Sequence, residues 1–163
     1  MSTGGSKGPN PAFMREAIEV ARRNVQEDRG GPFGTLIVKN GHILARGANL
    51  VTSTNDPTAH AEIVAIREAC RVLGSFQLTD CEIYTSCEPC PMCLGAIYWA
   101  RPRAVYFGST RDDAAQAGFD DRFLYEELPR SLAERKITMS QFMREEALAA
   151  FQDWEKKAHK VRY

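Results

Sequence analysis

The sequence predicts a single α/β domain in which helices cover both faces of a mixed β-sheet. Three observations point there. Strands and helices alternate through the middle of the chain, an Asn-Gly turn joins an early strand pair, and 163 residues with 44% hydrophobic content suit one core.

In chain order, residues 1–9 are rich in glycine and serine, bury too little to fold and read as a flexible leader. After Pro9-Asn10-Pro11, apolar Phe13, Ala17, Ala21 and Val25 recur at four-residue steps, which predicts a helix ending near Gly30-Gly31-Pro32. Thr35 to Lys39 and His42 to Ala48 read as strands around Asn40-Gly41, residues that accept the positive φ of a tight hairpin turn. Asn49 to Asn55 is polar and turn-like. Asp56 as cap and Pro57 in the first turn open a helix carrying Ile63, Ile66, Cys70 and Leu73 inward until Gly74.

Cys81 to Thr85 then predicts a strand, Pro91 to Ala100 a helix and Ala104 to Gly108 another strand. A loop through Ala117-Gly118-Phe119-Asp120-Asp121, a strand at Lys136 to Met139 and a helix from about Arg144 to Lys157 complete the reading. No internal repeat or interdomain linker interrupts it.

Composition narrows the function. Lysine plus arginine and aspartate plus glutamate both total 21, so the whole molecule exerts no net pull on a polyanion. Nothing approaches the roughly 18 consecutive apolar residues of a membrane span, and the first residues lack the apolar run of a secretion signal. The expectation is a soluble, cytoplasmic protein without a membrane partner. Five cysteines make an odd set for a disulfide framework, and three crowd between Cys87 and Cys93. A chain of this length buries roughly 68–70% of its unfolded surface, so a metal here would serve function and not folding.

The chemistry concentrates in two short segments. In Cys90-Pro91-Met92-Cys93, Pro91 opens a helix and the two sulfurs share its first turn, where the helix end favours thiolates. Such a pair serves as metal ligands, as a redox dithiol or as packed thiols. The second segment, His60-Ala61-Glu62, lies in the preceding crossover. His42 beside the hairpin turn and His159 in a charged tail read as solvated surface residues. His60 with Cys90 and Cys93 completes a Cys₂His set, which leaves tetrahedral zinc one open position, the arrangement of a catalytic site. Water at that position would have its pKa lowered to about 7. Glu62 could then take and return its proton, or merely favour the helix dipole.

This pairing of His60-Ala61-Glu62 with Pro89-Cys90-Pro91-Met92-Cys93 resembles the signature of the cytidine deaminase-like superfamily. The resemblance implies a three-layer α/β/α fold with a five-stranded mixed sheet and one Zn²⁺ per chain on His60, Cys90 and Cys93. It also implies zinc-bound hydroxide as nucleophile, Glu62 as proton shuttle, and loss of ammonia from an amidine-like ring carbon.

Within that superfamily the chain looks most like bacterial guanine deaminases from Gly31 to Tyr163. The shared stretches are Gly31-Pro32-Phe33-Gly34, Asn55 to Glu62, Tyr84 to Pro102, Ala117 to Asp121 and the terminal Tyr163. The likeness implies conversion of guanine to xanthine and ammonia in purine catabolism. Asn49 would hold the base through its amide, Asp121 would contact the ring edge and assist proton transfer, and Trp99 with Tyr163 would enclose the purine. A carboxylate at Asp121 only accepts hydrogen bonds, which suits a ring N–H. Similar enzymes are homodimers, so the segment from about 144 to 163 is expected to cross to a partner and bring Tyr163 over its pocket. Packing for Trp99 and a frayed end for Tyr163 are the plainer readings. A tRNA adenosine deaminase, or a deaminase of cytosine or another small amidine base, shares the same metal chemistry.

Overall fold

Asn10 caps the first helix by accepting the Ala12 N–H at its side chain, 2.9 Å, while Pro11 supplies a preset first helical residue. The computed structural model describes residues 8–163, so residues 1–7 of the expected leader lie outside the described residues. The chain divides into two compact units, Met1–Asp121 and Arg122–Tyr163.

The first unit holds α1 (Pro11–Gln26), β1 (Gly34–Lys39), β2 (His42–Ala48), α2 (Val51–Thr54), α3 (Ala61–Leu73), β3 (Cys81–Cys87), α4 (Pro91–Ala100), β4 (Ala104–Ser109) and α5 (Arg111–Gln116). Its sheet runs β2-β1-β3-β4; β1 is antiparallel to both neighbours and β3 is parallel to β4. The hairpin forms where predicted, with Asn40 at φ 51° and Gly41 at φ 77°.

Successive residues of β1 face opposite sides of the sheet, so this strand builds both cores. Leu36 and Val38 pack with Ala17 of α1 and Tyr84. Ile37 packs on the other face with Ala65 and Ala69 of α3 and with Ile97 and Ala100 of α4. The expected helix–sheet–helix layering is therefore present in this unit.

Several expectations need correction. The sheet has four strands among the described residues, not five. Lys136 to Met139 is irregular: the Lys136 N–H donates to Glu127 Oε2 at 2.9 Å, and Ile137 is 78% exposed, without the half-buried face a strand requires. Asp56 and Pro57 do not open the long helix. The Asp56 carboxylate instead accepts from both the N–H and the hydroxyl of Thr58, a local turn, and α3 starts at Ala61 with His60 as N-cap. The stretch from Asn49 to Asn55 contains the short α2, and α5 also went unpredicted.

The inward stripe of α3 is Ala61, Ala65 and Ala69, while Ile66, Cys70 and Leu73 are partly buried around it. Gly47 explains the substitution of small residues for large. A Cβ there would stand 2.1 Å from the Ala61 carbonyl oxygen, so α3 lies directly on β2. That contact fixes the start of α3, and with it His60 and Glu62.

The second unit holds α6 (Arg122–Glu127), a 3₁₀ turn (Leu132–Glu134) and α7 (Arg144–Lys156). The last helix matches its expected span to within one residue. No helix among the described residues is long and apolar enough to cross a membrane.

Candidate active site

Two helix starts supply the reactive groups. His60 is the N-cap of α3 and Cys90 the N-cap of α4, and neither spends its side chain on a capping hydrogen bond. Cys93, one turn into α4, is fully buried. Each helix also turns its unpaired first-turn amides and positive dipole end toward these groups, favouring negative sulfur.

The donor atoms converge. His60 Nδ1 lies 3.6 Å from Cys90 Sγ and 3.5 Å from Cys93 Sγ, and all three donors fall within 4.8 Å of one another. A tetrahedral zinc ion bonded at about 2.0–2.1 Å to nitrogen and about 2.3 Å to sulfur separates those atoms by about 3.6 Å. The residues therefore fit Zn²⁺ in both donor type and spacing.

The electrostatics follow from this crowding. A hydrogen bond from the Cys93 thiol, with His60 assisting, draws Cys90 down to about 4. The same hydrogen bond and burial push Cys93 well up. His60 is raised by its hydrogen bond to Cys90. Glu62, 7% exposed, is raised chiefly by burial and secondarily by the Cys90 charge, which favours its proton-carrying form.

His60, Glu62 and Cys90 border a cavity of about 240 Å³ whose other walls include Phe33, Asn49, Phe119 and Asp121. It lies below the roughly 300–1,000 Å³ common for drug-sized ligands and suits a small planar molecule. Asn49 is buried, and its Oδ1 accepts the N–H groups of Gly31 at 3.4 Å and Val51 at 3.3 Å. With its oxygen so engaged, the amide presents N–H donors to the cavity. Asp121 is raised by partial burial first and by the Cys90 charge second.

The structure thus gathers His60, Cys90, Cys93, Glu62, Asn49 and Asp121 around one space. Trp99 stands apart: it is 61% exposed near the end of α4 and does not line the cavity. Tyr163 belongs to the second unit and is 74% exposed.

Sequence reasoning missed the aromatic wall. Phe33 and Phe119 meet edge to face, ring centroids 5.0 Å apart at 87°. The prior signal was that both lie in stretches shared with guanine deaminases, Gly31-Pro32-Phe33-Gly34 and Ala117 to Asp121. Glu88 was also left without a role. Its carboxylate accepts the Arg111 N–H at 3.0 Å and its own N–H donates to Ser109 O at 2.8 Å, tying the cysteine loop to α5.

Comparison with known proteins agrees with this geometry. The family described as the cytidine and deoxycytidylate deaminase zinc-binding region matches residues 9–109. Guanine deaminase of Bacillus subtilis (strain 168) is 55% identical over 151 residues, 93% of this chain and 97% of that one. An X-ray structure of guanine deaminase from Bacillus subtilis gives a TM-score of 0.93 at 54% identity, covering 95% of this chain and 99% of that one. The tRNA-specific adenosine deaminase of Bacillus subtilis (strain 168) is 42% identical over 98 residues, 60% of each chain.

Proposed function

The chain belongs to the zinc-binding cytidine and deoxycytidylate deaminase family, and from that premise we propose that it hydrolyses guanine to xanthine and ammonia. One observation carries the reading: the buried Glu62 carboxyl adjoins the His60, Cys90 and Cys93 donors at a small cavity that also presents Asn49 and Asp121. Similarity to guanine deaminase along nearly the whole chain favours guanine over the tRNA substrate of a relative that matches only 60% of it.

His60, Cys90 and Cys93 would hold the zinc ion, with two thiolates balancing its charge. When bound, the ion supplies the Lewis acidity that makes water nucleophilic near neutral pH. Glu62 accepts a proton as water adds to carbon 2 of guanine and delivers it to the adjacent ring nitrogen. It then carries a second proton to the exocyclic amine, which leaves as ammonia, so that guanine and water become xanthine and ammonia. Asn49 orients the base by donating from its amide. The Asp121 carboxylate accepts from a ring N–H and assists proton transfer, a contact that rejects bases lacking a donor at that edge.

We also propose a homodimer in which the segment from about 144 to 163 crosses to the partner, so that Tyr163 closes its cavity with Trp99 at the rim. The exposure of Tyr98, Trp99 and Tyr163 supports this reading, because large aromatic groups gain most from burial. A closed cavity excludes water and strengthens the few polar contacts a free base can make. Thiolate ligands need reducing surroundings, which supports a cytoplasmic enzyme of purine catabolism.

The test is ammonia release by zinc-loaded protein from guanine, cytosine and an adenosine-containing tRNA stem-loop. Turnover of guanine alone is expected. Turnover of either rival without guanine would replace this reading.

A further inference from the structure

Asn24 lies on α1, outside the lining of the cavity, yet it is a buried polar residue, 2% exposed. Its Nδ2 donates to the carbonyl oxygens of Gly31 at 2.9 Å and Asn49 at 2.8 Å. Two carbonyls facing one atom fix the amide orientation, since only the NH₂ group can serve both. Gly31 in turn donates its N–H to Asn49 Oδ1. Asn24, Gly31 and Asn49 therefore close a ring of hydrogen bonds, two of them supplied by Asn24.

The backbone is built around this ring. A Cβ at Gly30 would stand 2.1 Å from the Asn49 carbonyl oxygen and 3.3 Å from Asn24 Nδ2, so the chain leaving α1 runs flush against Asn49. The segments that Asn24 ties together are the two that bear Gly31 and Asn49, both of which face the cavity.

We infer that Asn24 is a positioning residue for base recognition: by holding both carbonyls it keeps the Gly31 N–H on Asn49 Oδ1 and so keeps the Asn49 amide donors turned to the substrate. Without it, the buried Asn49 carbonyl loses its donor, the Gly31 carbonyl keeps only the Phe33 N–H at 2.9 Å, and the Asn49 amide gains freedom to rotate away. The inference rests on the proposed role of Asn49 in holding guanine. It predicts an effect on substrate binding, with zinc loading and the proton shuttle intact.

A double-mutant cycle tests it, with KM and kcat for guanine measured on zinc-loaded protein and zinc content and Tm checked alongside. Asn24→Ala is expected to raise KM about tenfold, the scale of one hydrogen bond, with kcat within about threefold of the parent. Asn24→Ser, which retains one donor and a smaller disturbance of the fold, should fall between the two and carries the cycle if the alanine variant is unstable. In an Asn49→Ala background either change should add little to KM, because the group it positions is gone.

Equal factors in both backgrounds, or an unchanged KM in folded Asn24 variants, would overturn the inference while leaving Asn49 in its role. An Asn49→Ala protein with unchanged KM would instead remove the role of Asn49 and the inference with it.

Discussion

The cavity has two walls built by different means. One wall is His60, Glu62 and Cys90, which with the neighbouring buried Cys93 stand at the starts of α3 and α4, helices packed on the same face of the sheet. Phe33, Asn49, Phe119 and Asp121 lie between elements, beside β1, after β2 and beyond α5. Helix starts anchored to a core give the reacting groups fixed positions, whereas connecting segments let the recognition surface vary. Changes on the helix wall should therefore strike metal binding and kcat, and changes on the loop wall should strike KM.

The largest effect is expected at Cys93. Cys93→Ala removes a buried sulfur from the proposed zinc site, leaving two donors, and should reduce both zinc content and ammonia release to background. Metal analysis and a guanine turnover assay on the same sample check this; retention of one zinc per chain would break the assignment of that wall.

Next in size is Glu62→Gln, which preserves shape but cannot carry the proton. Zinc content and folding should stay at parent level while kcat falls by about 10²–10⁴-fold. A surviving kcat would show that the proton moves by another route.

The smallest effect sharpens the loop wall. Phe119→Leu keeps apolar bulk but loses the edge-to-face contact with Phe33, so KM should rise by about threefold to tenfold with kcat nearly unchanged. A loss confined to kcat would contradict the division between the walls.

The same division explains what could be read from the sequence. His60, Glu62, Cys90 and Cys93 were legible because ligand type, Pro91 and helical spacing are local signals, and the hairpin was legible because Asn40-Gly41 admits positive φ. Asn49 and Asp121 came only through resemblance, since single polar residues in loops carry no periodicity. The contacts of Asn24 could not be read at all, because they join residues brought together by the fold. The start of α3 was misplaced for a related reason: Asp56 has the chemistry of a cap, but its carboxylate is used by Thr58. The alanine stripe of α3 follows from the absent Cβ of Gly47 on β2, a tertiary contact that overrode the preference for large apolar residues. The expected strand at Lys136 to Met139 failed because a strand needs a paired neighbour, and its backbone is engaged by a side chain instead.

X-ray absorption at the zinc edge of the purified protein, with metal content measured on the same sample, tests the central assignment most directly. The account predicts one zinc per chain with two sulfur neighbours at about 2.3 Å and the remaining neighbours, the His60 nitrogen among them, nitrogen or oxygen at about 2.0–2.1 Å. Cys87 also lines the cavity. A third sulfur in the zinc shell, or no bound zinc, would contradict an open three-ligand site.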